Sequence, residues 1–103
     1  MANEIRVVVK KAGQSATVEM VEDTLQTYQE IVGGWIEVVE CGKGVAMVCN
    51  EEGKLDGLKA NLMFPDDIIV GDVLFCGVRD GDMVSLTDKQ MLLVKKLVAE
   101  RAL

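Results

Sequence analysis

Three carboxylates and an amide fall within the short stretch Asn50-Glu51-Glu52-Gly53-Lys54-Leu55-Asp56, which Gly57 closes. Carboxylates this close together can hold a hard cation such as Ca²⁺ or Mg²⁺, or they can present a negative patch to a positively charged partner. The run lacks the alternating Asp-x-Asp-x-Asp-Gly register of a calcium loop, so no metal is expected there. Asp80-Gly81-Asp82 and Asp66-Asp67 are further acidic segments. Asp, Asn and Gly also gather in turns because they satisfy turn geometry by themselves. Read for partner binding, Asn50, Glu51, Glu52, Lys54 and Asp56 form one patch on a loop, and Asp80 and Asp82 form another at a hairpin tip. Trp35, the sole Trp, follows Gly33-Gly34. It serves either as an exposed interface anchor or as a core filler beside a helix.

Catalytic chemistry is short of reagents. The chain has no His, which removes the commonest general base and the commonest neutral metal ligand. Ser15 and Ser85 lack a Gly-x-Ser-x-Gly context, and no phosphate loop of the Gly-x-x-x-x-Gly-Lys type occurs. Cys41, Cys49 and Cys76 are an odd set without a CxxC pair, each within an apolar run, and read as small core residues. The expectation is a protein that is not an enzyme and carries no cofactor.

The net charge is −6 and it is unevenly spread. From Ala12 to Asp88 four basic residues (Lys43, Lys54, Lys59, Arg79) face fifteen acidic ones, while the other bases lie in the flanks. A body this acidic repels phosphate backbones, so no direct nucleic-acid binding is expected. It suits a basic protein surface, whose opposite field speeds encounter. Acidic surfaces also simply keep proteins in solution. No basic-then-apolar leader is visible, and the apolar runs fall far short of the roughly 18 residues of a membrane span. The expected location is the cytoplasm, with no membrane partner.

A length of 103 residues suits one domain spanning 1–103, and half the residues are apolar. Val7-Val8-Val9 and Ile68-Ile69-Val70 favour strands. Glu4 to Lys10 reads as a strand pairing through a Gly13-Gln14 turn with a second near Ala16 to Met20. Asp23 or Thr24 opens a helix with Leu25, Tyr28, Ile31 and Val32 at helical spacing, and Gly33-Gly34 stops it. Trp35 to Cys41 and Val45 to Cys49 form a hairpin around Gly42-Lys43-Gly44. Asn50 to Asp67 reads as a long irregular loop, which a short helix around Leu58 to Met63 would shorten. Ile68-Ile69-Val70 leads into a strand from Val73 to Val78, and Arg79-Asp80-Gly81-Asp82 turns it into Met83 to Leu86. Thr87-Asp88-Lys89-Gln90 matches a capping box opening a helix that runs from Asp88 to Arg101. The expected class is α+β: a mostly antiparallel sheet of about six strands, ββαββ-loop-ββα, with two helices on one face. A partly closed barrel is the alternative.

Four segments carry a resemblance: Ile31-Val32-Gly33-Gly34-Trp35-Ile36-Glu37-Val38-Val39, Val48-Cys49-Asn50-Glu51-Glu52-Gly53-Lys54-Leu55, Asp67-Ile68-Ile69-Val70-Gly71 and Val84-Ser85-Leu86-Thr87-Asp88. Together they resemble a family of small proteins from phages, plasmids and gut bacteria that carries only a domain-of-unknown-function label. The resemblance spans nearly the whole chain, with the second half of the last helix least constrained. It implies an accessory protein of mobile elements, and one branch of the family is associated with anti-CRISPR inhibition of type II CRISPR–Cas9. The implied partner is Cas9 or the Cas9–guide RNA complex in a host bacterial cytoplasm. The family's recurring Asn-Glu-x-Gly-Lys motif corresponds to Asn50, Glu51, Gly53 and Lys54, which puts this loop first among candidate sites. Two alternatives stand beside it: a small-molecule or nucleotide-signal binder using the Asn50 to Pro65 loop, and a homo-oligomer joined through an exposed strand edge.

Overall fold

In a strand, successive side chains point to opposite faces, so the unbroken run Val7-Val8-Val9 demands cover on both sides of its sheet. The computed structural model describes residues 3–103 and supplies that cover. Its elements are β1 (Glu4–Lys10), β2 (Thr17–Glu22), α1 (Leu25–Val32), β3 (Ile36–Gly42), β4 (Val45–Asn50), β5 (Ala60–Phe64), β6 (Asp67–Val70), β7 (Val73–Arg79), β8 (Asp82–Val84) and α2 (Asp88–Arg101). Six strands form one antiparallel sheet in the order β2-β1-β7-β4-β3, with β8 also pairing with β7. β5 and β6 make a separate two-stranded sheet. The class is α+β, as expected, and the main sheet is open rather than a closed barrel, with β2 and β3 at its ends.

The helices do not share a face, contrary to the expected arrangement. Tyr28 and Val32 of α1 pack with Val7, Val9, Val48 and Leu74. Val94 and Val98 of α2 pack on the opposite side with Val8, Met47 and Phe75, joined by Leu62 of the small sheet. The reason lies in the central strands. β4 is buried at every residue and β7 from Val73 to Gly77, so both faces are apolar and one layer of helices cannot cover them.

Asn50 to Asp67 is also more ordered than its composition suggests. Ala60–Phe64 is a strand, not a helix, and pairs with β6 through Leu62↔Ile69 and Met63↔Ile68. The irregular part shrinks to residues 51–59. The apolar run Ile68-Ile69-Val70 supplies the strand partner that overrides local turn signals. Asn61, fully buried, fixes this hairpin to the main sheet. Its Nδ2 donates to the carbonyls of Lys10 (2.9 Å) and Gly71 (2.8 Å), and its Oδ1 accepts from the Lys10 ammonium at 2.9 Å.

Local signals set the helix ends. Thr24 accepts the Thr27 N–H at 3.1 Å, and Gly33 ends α1 in the left-handed region at φ 81°. At α2 the Thr87 hydroxyl accepts from Gln90 N–H (3.1 Å) and the Gln90 side chain accepts from Thr87 N–H (3.0 Å), completing the capping box. Gln90 Nε2 also donates to the Lys43 carbonyl at 3.0 Å, which docks the helix start on the β3–β4 turn. Among the described residues no helix is long and apolar enough to cross a membrane.

Candidate functional site

The acidic turn is held by two inward-facing residues, Asn50 and Gly53, and by an exposed ion pair. Asn50, the last residue of β4, is buried, so it is not an open contact residue as the sequence pattern suggested. Its Nδ2 donates to the Val32 carbonyl at 3.2 Å, satisfying one of the free carbonyls at the end of α1, and its Oδ1 accepts the Glu52 N–H at 2.8 Å. The Glu51 N–H donates to the Trp35 carbonyl at 2.8 Å. Gly53 is buried, and a Cβ there would sit 2.8 Å from Val70 Cγ2, so only glycine lets the turn lie against β6. Lys54 pairs with Asp67 at the start of β6. Three of the four matched motif positions therefore have an architectural role, which is to pin the turn between α1 and the small sheet. Besides the exposed Lys54 and Gly57, the turn leaves Glu51, Glu52, Leu55 and Asp56 outside, all exposed.

The pinned turn closes one end of a trough running between β3 and β6. At that end a cavity of about 190 Å³ is lined by Glu37, Cys49, Glu51, Glu52, Lys54 and Asp67, among others. A second hollow of about 370 Å³ continues from it, sharing Glu37, Asp67 and Ile69 and floored by Met47, Phe64 and Leu97. Glu40 borders this second part. Four carboxylates, Glu37, Glu51, Glu52 and Asp67, thus rim an apolar floor, and among the described residues Lys54 is the one cation on the lining. Its pairing with Asp67 holds the Asp67 carboxyl below the ordinary carboxylate value, with the Ile68 N–H donating to the same oxygen. The open side of the trough remains negative.

Trp35 stands beside this turn and is 66 % exposed, so the core-filler alternative fails. It lies between the C-terminal turn of α1 and edge strand β3, where no layer covers it. Asp80 and Asp82 lie elsewhere. The ladder Val45↔Gly77 and Val48↔Leu74 sets the β7–β8 turn at the start of β4, whereas Asn50 ends that strand. The two acidic patches therefore occupy opposite ends of the sheet. Asp80 and Gly81, both at positive φ, form a tight hairpin turn beside Gly44, whose carbonyl accepts the Val78 N–H at 2.8 Å.

Two thiols are core residues as expected: burial pushes Cys49 up to about 11 and Cys76 up to about 12. Cys41 departs from that expectation and is exposed, like the rest of edge strand β3 from Glu37 to Gly42. The Ser85 hydroxyl accepts the Arg6 N–H at 2.9 Å and serves the splice of the β8 segment to β1. Among the described residues no three His, Cys, Asp or Glu side chains gather as a metal cluster. Glu37, Glu40 and Asp67 were not among the sequence candidates. For Glu37 and Glu40 the signal was their spacing in Ile36-Glu37-Val38-Val39-Glu40, informative only once β3 is known to be an edge, and for Asp67 it was the acidic pair Asp66-Asp67.

Comparisons with curated proteins and with solved structures gave no match. The family model described as "Domain of unknown function (DUF3846)" matches residues 5–99, a span that includes β3, the acidic turn and both walls of the trough. The chain belongs to that family.

Proposed function

We propose that the chain is a non-enzymatic binding protein whose trough between β3 and β6 engages a basic surface of a protein partner. The observation that carries this reading is the gathering of Glu37, Glu51, Glu52 and Asp67 around an apolar floor, with the single lining lysine already paired. Exposed ion pairs contribute only about 0–1 kcal/mol each, so the carboxylates supply steering and register while the floor supplies affinity. Trp35, exposed beside the turn, adds the kind of aromatic anchor that dominates many interfaces.

Within this reading the partner is a Cas9-type effector. Such effectors hold nucleic acid in positively charged channels, and a rigid row of carboxylates can take the place of phosphates there. The resemblance to a family with a branch associated with Cas9 inhibition supports the same choice, as does the acidic body that disfavours direct nucleic-acid binding. The site of action is then the cytoplasm of a bacterial host. Affinity capture with purified Cas9–guide RNA complex at two salt concentrations, run beside a DNA-cleavage assay, tests it. Retention at low salt, weakened at high salt, with slowed cleavage is expected. No retention at low salt together with undiminished cleavage would remove Cas9 as the partner.

A further inference from the structure

Edge strands present unpaired N–H and C=O groups, and natural proteins blunt them with charged side chains, Pro, bulges or a covering element; the charges on β3, Glu37 and Glu40, repel acidic strands but not basic ones. β3 pairs with β4 alone, and among the described residues no strand pairs along its other side. It contains neither Lys nor Pro, and its register slip falls only after Glu40, which leaves Ile36 to Glu40 as a regular ladder. Of the two ends of the main sheet, β3 is the one bordered by the trough.

We infer that β3 accepts an extended basic segment of a partner protein as an additional antiparallel strand of the main sheet. The inference rests on the acidic-trough reading above and specifies how that surface is used. Residues directly opposite each other in an antiparallel pair interact side by side. β3 offers Glu37, Val38, Val39 and Glu40 in sequence, and Val38 is 43 % exposed. The matching segment therefore reads basic–apolar–apolar–basic. The ladder Glu37↔Cys49 and Val39↔Met47 puts Glu37 and Val39 on the trough side, where Met47 and Cys49 belong to the core under α2. Ile36, which packs with the α1 core, puts Val38 and Glu40 on the α1 side by alternation. The added strand thus meets one carboxylate and one valine on each face of the sheet. Its backbone supplies affinity through the ladder, and its side chains supply specificity.

The same residues argue against a second copy of this chain as the occupant. The antiparallel register that pairs Glu37 through Glu40 with itself sets Glu37 opposite Glu40 at both ends of the contact, and like charges directly opposite are destabilising. A basic segment turns both repulsions into attractions.

The test uses a short synthetic peptide with an Arg-Val-Ile-Lys centre. A second version is N-methylated on the backbone nitrogens that would face β3, and a third has Glu in place of both bases. The full chain is titrated with each while amide hydrogen exchange is followed residue by residue. The expected result is at least about tenfold slowing of exchange at the outward amides within Ile36 to Glu40, and binding at least about tenfold tighter for the first peptide than for either other. The variant Glu37→Lys/Glu40→Lys, checked for an unchanged fold by circular dichroism, is expected to reverse the preference toward the Glu peptide. Equal binding by the N-methylated peptide overturns strand addition and leaves the acidic-surface reading standing. Failure of the basic peptides to bind in any form overturns both. Protection of the β3 amides by raising protein concentration alone would show that a second copy occupies the edge, and would also overturn the inference.

Discussion

The side-chain amide of Asn50 donates to the carbonyl oxygen of Val32 at 3.2 Å, joining the end of β4 to the end of α1. Because the same side chain accepts the Glu52 N–H, one residue satisfies a carbonyl at the helix end and sets the acidic turn. Replacing it with Ala leaves a buried carbonyl unpartnered, and such a group costs about 1–3 kcal/mol. Asn50→Ala is therefore expected to lower unfolding stability by that amount in urea titration. Glu51→Gln and Glu52→Gln, on exposed side chains, should stay within about 0.5 kcal/mol of the parent.

Asn61 forms a second anchor with three partners around Lys10 and Gly71. Asn61→Leu strips the Lys10 ammonium of its side-chain acceptor and orphans two buried carbonyls. The expected loss is roughly 2–4 kcal/mol, larger than for Asn50→Ala, measured by the same titration. If Asn61→Leu were neutral, the small sheet would not be held by this network.

Local chemistry was legible in the sequence wherever neighbours decide the conformation. The bounds of β1 and of both helices, the Thr87–Gln90 capping box and the Asp80–Gly81 turn all follow from residues within a few positions of one another. Properties set by distant pairing were not legible. Nothing near Leu62 announces that Ile69 is its cross-strand partner, and so the strand β5 was hidden in an apparent loop. Trp35 and Glu37 owe their exposure to β3 being the last strand of the sheet, and strand order is a long-range property. Asp80 and Glu51 read as comparable acidic residues, yet the β4–β7 register puts them at opposite ends. The motif at Asn50, Gly53 and Lys54 marks a turn whose architecture those three residues hold, a role that shows only once α1 and β6 are placed around it.

Alkaline pH should weaken the fold through the buried thiols. Burial lifts Cys49 to about 11 and Cys76 to about 12, from 9.0. Both values lie above the unfolded value, so above pH 9 the unfolded chain releases protons that the native state retains. Stability then falls by roughly 1.4 kcal/mol per pH unit for each thiol until its folded value is reached. Burial shifts Lys10 the other way, below 10.5, and its contribution rises with pH toward that value. Comparing each variant with the parent separates these effects. Cys76→Ala should flatten the decline in denaturation midpoint between pH 9 and 10.5. Cys41, the exposed thiol, should react first with a thiol reagent in the folded protein.

The Lys54–Asp67 pair makes an acid-side prediction. Hydrogen bonding from Lys54 holds Asp67 below 3.8, so the pair's contribution is present above that value and fades as pH falls through the lower folded one. A carboxyl-carbon NMR titration should place Asp67 below the ordinary aspartate range. Lys54→Met should move it upward. An unchanged Asp67 titration in that variant would show that Lys54 does not set it.

The most direct test of the central claim is the affinity of purified Cas9–guide RNA complex for three forms of the protein at low and at high salt. The forms are the parent, a trough reversal (Glu37→Lys/Glu51→Lys/Glu52→Lys) and a far-end reversal (Asp80→Lys/Asp82→Lys), each confirmed folded. The acidic trough predicts salt-weakened binding by the parent, a loss of at least about a hundredfold on trough reversal, and little change on far-end reversal. Undiminished affinity after trough reversal, or no binding by the parent at low salt, would contradict it.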